Sequence, residues 1–215
     1  VRSLPALNTF VIRLPEMWLE LPVDESGLRE YVKTAAANTE APADLATDEV
    51  AQRRFLLMID RIAGQARDGG VVFAAGYLEA VPGDDSDDDG GDPDAITIMA
   101  TAALSTRPAE AFGGATVTVD LIRSAVAPDP LDSRGRRLRD AETLTLPAGP
   151  AIRDVVLRRV AADSSETVLV ATYYVVIGDG EGVGVLAFQT PSLGVAEELL
   201  SLFHSIASTL EFTTV

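Results

Sequence analysis

Seven aspartates fall between Asp84 and Asp94, in the run DDSDDDGGDPD, between two apolar stretches. Oxygen ligands at alternate positions followed by glycine are what a calcium loop uses, with a bidentate acid at its twelfth position. Asp85, Asp87, Asp89 and Gly90 meet the first half of that pattern, but Ile96 stands where the closing acid is needed. The flanks read as strands rather than helices. Crowded carboxylates repel one another and resist collapse. The expectation is a solvated, flexible acidic loop over 83–94, with weak divalent-cation binding as the alternative and no metal ligand assigned.

The other chemically capable residues are few. There is no cysteine, which removes disulfides, thiol catalysis and thiolate metal sites. His204 is the sole histidine and lies beside an apolar stripe of Leu199, Phe203 and Ile206. It is expected to edge a helix–sheet interface and to be hydrogen-bonded there. Ser201, Ser205 and Ser208 are its helical neighbours, and no G-x-S-x-G elbow accompanies them. GDGEGVGV over 178–185 is glycine-rich, but valine occupies the third glycine position of a dinucleotide fingerprint and a strand follows. It reads as a hairpin turn. Lys33, the only lysine, follows no phosphate-cradling loop. No cofactor is expected. Glu79 fits an ordinary exposed strand face, and no carboxylate pair stands out for glycoside chemistry. No catalytic residue is assigned.

Arg134, Arg136, Arg137 and Arg139 cluster around Gly135, and Arg153, Arg158 and Arg159 lie on the next strand region. They could form a basic patch for an acidic partner or simply balance the surface. Arg158 and Arg159 are adjacent on a strand and should face opposite ways. So should Tyr173 and Tyr174, one under the terminal helix and one on the exposed sheet. Trp18 reads as a core anchor.

These groups need a scaffold. The chain has 215 residues, 47% of them apolar, and a formal net charge of −16. That size suits a single domain over 1–215. The acidity disfavours nucleic acid and anionic membrane as partners. No apolar run approaches the roughly 18 residues of a bilayer span, and no signal peptide is evident. Cytoplasmic localisation is the expectation. Val1 is not an initiator residue, which leaves open whether a segment precedes it.

Residues 9–24 read as two short extended pieces around Pro15 and Pro22. Helical spacing predicts helices over 26–37 and 46–67, the second ending at Gly69–Gly70. Strands are expected at 71–81, 95–105, 116–125, 152–161, 168–178 and 183–190, with a basic turn region at 134–140. The first two should be antiparallel neighbours. DSSE at 163–166 and GDGEG at 178–182 read as hairpin connections. A terminal helix follows, with Ser192 as its N-cap and Leu199, Phe203, Ile206, Ala207 and Leu210 as its apolar stripe. The order predicts α+β: a mostly antiparallel sheet with helices against one face.

Residues 168–212 add a resemblance. Tyr173–Val176, Leu186–Pro191 and Leu202–Leu210 are similar to the Y-Y-x-V, L-x-F-x-T-P and L-F-x-x-I-A-x-[ST]-[LF] pieces of an uncharacterised actinobacterial protein family. IRLPEMWLELP near the start resembles that family's short N-terminal hairpin. The family resembles the Mog1/PsbP-like fold, which implies an antiparallel sheet carrying two helices from the N-terminal half and a C-terminal helix. Members of that broader fold bind partners, one a nuclear transport GTPase and one photosystem II. The resemblance carries no catalytic residue, and fold does not choose function. The expectation is a non-enzymatic protein-interaction or accessory protein with an unidentified protein partner. The alternatives are a binder of a small apolar ligand and a hydrolase with an unrecognised carboxylate site.

Overall fold

The structure is a computed structural model describing residues 10–23, 70–81, 96–126, 135–159 and 166–213. The helices expected at 26–37 and 46–67, and the acidic loop at 83–94, lie outside the described residues. The strands are β1 (Phe10–Val11), β2 (Trp18–Leu21), β3 (Val71–Val81), β4 (Ile96–Pro108), β5 (Gly135–Leu146), β6 (Gly149–Arg159), β7 (Thr167–Ile177), β8 (Gly182–Thr190) and β9 (Glu211–Phe212). The helices are α1 (Val119–Val126) and α2 (Ala196–Ala207). The architecture is α+β.

Seven strands make one sheet in the order β2-β3-β4-β8-β7-β6-β5, and every neighbouring pair is antiparallel. The middle strands are rich in valine, alanine and aromatic residues, which suits a pleated surface covered on both faces. In β7, Tyr173 and Val175 point to one face, while Tyr174 and Val176 point to the other. The first face carries the larger core, with α2 laid across it through Leu199, Phe203 and Ile206. The second carries α1, whose Ile122 packs on Ile152, Val176 and Val183.

Several expectations need correction. Residues 116–125 are not a strand: Val119–Val126 is helical. Val119, Ile122 and Val126 recur at helical spacing, and the Leu121 amide donates to Thr118 Oγ1 at 3.2 Å, an N-cap bond. The helices therefore do not share one face. The basic region at 134–140 is no turn either, because β5 starts at Gly135 and pairs with β6. Its register shifts twice, between Arg137 and Arg139 and between Arg139 and Glu142. Such bulges, with charged residues, discourage an edge strand from recruiting another chain. The opening pieces are not a hairpin: β1 pairs with β9, and β2 pairs with β3. Between them the Trp18 amide closes a turn onto the Pro15 carbonyl at 3.0 Å.

Ser192 does not cap α2. A 3-10 turn, Leu193–Val195, precedes the helix, and Ser192 has other work. The β4–β8 ladder runs out at Thr101 opposite Gln189. Two residues on, Met99 would face Pro191, which has no N–H to give. The side chains on either side substitute. Thr190 Oγ1 donates to the Met99 carbonyl at 2.6 Å, and the Met99 amide donates to Ser192 Oγ at 3.1 Å. The Ser192 amide in turn donates to Thr190 Oγ1 at 3.0 Å. Thr190 and Ser192 thus extend the sheet beyond a proline that would end it.

Thr190 is fully buried. Thr190→Val keeps its shape but strands the Met99 carbonyl, so chemical denaturation should show a loss of about 1–3 kcal/mol. An unchanged midpoint and slope would show that the carbonyl finds another donor.

Candidate functional site

Among the described residues, the densest grouping of aromatic side chains lies between α2 and the sheet. Phe188 of β8 and Phe203 of α2 stack with ring centroids 4.6 Å apart and planes 8° from parallel. Trp18 meets both edge-on, at 6.3 and 6.4 Å, and stacks on Tyr77 at 5.7 Å. Tyr173 meets Phe188 edge-on at 5.9 Å and stacks on His204 at 6.2 Å. Strand alternation places Tyr77, Tyr173 and Phe188 on this face, and helical spacing brings Phe203 and His204 over them. Trp18 is 6% exposed, the core anchor its type suggested.

Polar atoms are caught in this apolar setting. Trp18 Nε1, the Tyr173 hydroxyl and His204 Nδ1 are buried without a hydrogen-bond partner. His204 edges the helix–sheet interface with its ring stacked on Tyr173 and its Nδ1 unpaired. Arg153 stands across from Tyr173 in the β6–β7 register. It binds Glu142 at 2.5 Å, from Nη2 to Oε2. Burial pushes the Tyr173 hydroxyl above its ordinary pKa, and the nearby Arg153 charge pulls the other way. Arg153 therefore acts on Tyr173 through its field, without a well-directed hydrogen bond. At neutral pH the phenol is protonated, beside a guanidinium paired with Glu142.

Tyr77 and Glu79 share a face two residues apart, and the Tyr77 hydroxyl donates to Glu79 Oε2. Burial, reinforced by that bond to a carboxylate, pushes the Tyr77 hydroxyl up to about 12. Glu79 is thus half-buried and engaged, not a plain exposed strand residue.

Arg158 and Arg159 are exposed and alternate across β6, whereas Arg153 faces Tyr173. Arg136, Arg137 and Arg139 lie on β5, and Arg134 is outside the described residues. Tyr174 packs at the edge of the α1 cluster, not on an open sheet face. The glycine-rich turn is structural. A Cβ on Gly180, whose φ is +90°, would sit 2.5 Å from Thr116 Cγ2 and 2.7 Å from the Val117 carbonyl. The Val117 amide donates to the Gly180 carbonyl at 3.0 Å, so the chain entering α1 crosses this turn in direct backbone contact.

Three buried polar residues escaped sequence reading. On the α1 face, Gln189 lies between Thr101 and Val170, and Asp154 lies opposite Thr172. Thr101, Gln189 and Asp154 are 1%, 3% and 8% exposed. Each stood inside an ordinary strand pattern, and the pairing register sets Thr101 beside Gln189 while Asp154 lies in a separate row.

No protein-family model matches the chain, and no curated protein matches it. Among solved structures the chain is similar to the crystal structure of LpqN, which is involved in cell envelope biogenesis of Mycobacterium tuberculosis. The two share 16% identity with a TM-score of 0.43, over 95% of this chain and 83% of that one. So loose a likeness carries no argument about fold or function.

Two outcomes follow from this geometry. Tyr173→Phe removes an unpaired buried hydroxyl, so thermal and chemical denaturation should show stability unchanged or raised by up to about 1 kcal/mol. A clear loss would mean the hydroxyl holds a partner. For Tyr77, a folded pKa of about 12 exceeds the unfolded value of 10.0, so the folded state keeps its proton longer. The resulting stability is complete below pH 10.0 and is lost as pH rises towards about 12. Tyr77→Phe should flatten that part of the stability–pH curve. An identical slope in the variant would assign the loss to other groups.

Proposed function

We propose that the protein is a non-enzymatic interaction or accessory protein that works through its surface, with a Mog1/PsbP-like arrangement of sheet and helices. The observation that carries this reading is the edge strand β2. Among the described residues it ends the sheet, it is four residues long, and it exposes Leu19 at 56% beside Met17 at 52%. Val23 at 36% and Val72 at 41% are also exposed. Exposed large apolar side chains on an edge strand favour a protein partner. Among the described residues, Arg153 is engaged with Glu142, Tyr77 with Glu79, and Tyr173 lies beneath α2. The antiparallel sheet with α2 across one face supports the proposed arrangement.

A small-ligand reading has one observation in its favour, the unpaired Trp18, Tyr173 and His204 atoms around the ring stack. Against it, Tyr173, Phe188 and Phe203 are wholly buried on one another. Native mass spectrometry of protein purified from its source cell would reveal a retained small molecule and return weight to that reading. Cytoplasmic residence belongs to the same proposal, and fractionation of the source cell tests it.

The decisive variant is Leu19→Asp. Leu19 is exposed, so its melting temperature should match wild type. A partner captured by wild type from the source cell should be lost by the variant. Equal capture by both would remove β2 from the interaction.

A further inference from the structure

We infer that β2 is the docking site for an extended segment of a partner protein, with apolar and basic residues alternating, which adds an eighth strand to the sheet. The inference deepens the interaction reading above and rests on it. β2 pairs with β3 on one side, Leu19 opposite Gly76 and Glu20 opposite Ala75, and among the described residues it ends the sheet on the other. An edge strand offers main-chain donors and acceptors to another chain. The opposite edge, β5, carries bulges and arginines that discourage such pairing, whereas β2 has no register shift against β3.

The side chains define what fits. Along β2, Trp18 and Glu20 point to the α2 face, while Leu19 and Leu21 point to the other. Trp18 and Leu21 are buried, so the partner meets Leu19 on one face and Glu20 on the other. An added strand alternates in the same way. A residue beside Leu19 should be apolar and its neighbour beside Glu20 should be basic. Glu16, exposed one residue before Met17, adds a second negative charge at the same margin. No basic residue lies between Pro15 and Pro22, the prolines that bracket the strand. The net charge of −16 attracts a basic segment from a distance and opposes a second copy of this chain on the same edge.

The strand carries its own reporter, because Trp18 is the only tryptophan. The full chain would be titrated with a peptide of alternating valine and lysine, about six residues long, to match β2 and its flanks. Trp18 fluorescence should change and saturate, and hydrogen exchange at the β2 amides should slow. Glu20→Lys should weaken binding by about three- to tenfold and give a valine–glutamate peptide the advantage. Added salt should weaken the wild-type complex. The same peptide with alternate amides N-methylated, and so unable to pair, should not bind. Leu19→Asp should abolish binding with its melting temperature unchanged.

Equal binding of the valine–lysine and valine–glutamate peptides would overturn the basic specificity. Equal binding of the N-methylated peptide would overturn strand addition. A concentration-dependent dimer that blocks the edge would replace the partner with a second copy. No binding of any peptide, alongside capture of a cellular partner that still depends on Leu19, would overturn this inference while leaving the interaction reading in place. Loss of the Leu19 dependence itself would remove both.

Discussion

Everything on the larger core face depends on the stack between Phe188 and Phe203. It is the point where the centre of the sheet meets α2, with rings 4.6 Å apart and neither exposed to solvent. Two flat faces of that size bury large apolar area in one contact, and offset stacking adds to the area term. The neighbours are arranged around it. Trp18 brings β2 against one flank, and Tyr173 with His204 closes the other. The edge strand is therefore anchored to the core through Trp18 while its Leu19 faces outward.

That coupling sets the state of the titratable groups among the described residues of this face. A tyrosine, a histidine and an arginine stand close together, yet the phenol lies beneath a helix and the guanidinium is paired with Glu142. Burial of a phenol disfavours its ionised form. The geometry spends these groups on closing the helix–sheet interface. What remains exposed at the β2 margin is apolar and acidic.

The sheet shows a second economy of design at its β4–β8 seam. Pro191 ends the backbone ladder, but the strand path continues because two hydroxyls replace its missing donor and acceptor contacts. The TPS sequence looks in isolation like a strand stop followed by a helix cap. Ser192 serves the sheet instead, because a buried Met99 amide needs a partner more than a helix end exposed to water does. Thr116–Val126 shows the same conflict. Its valines and threonines suit a strand, and a helix forms because Thr118 caps it and Val119, Ile122 and Val126 reach an apolar patch on the sheet.

Local pattern alone determined the elements whose periodicity is strong and whose bounds are marked by glycine or proline. These are β3, β4, β7, β8, the turn at Gly178–Gly180, the terminal helix and the opposed placement of Tyr173 and Tyr174. Composition alone determined that thiol chemistry is closed to this chain and that its field is acidic. Tertiary structure decided the rest: the helical state of Val119–Val126, the separation of the helices to two faces, and the pairing of β1 with β9 instead of β2. It also decided the gathering of Trp18, Tyr173, Phe188, Phe203 and His204. Those contacts join residues far apart in the chain, and a register one residue different would turn each of them to the opposite face of the sheet.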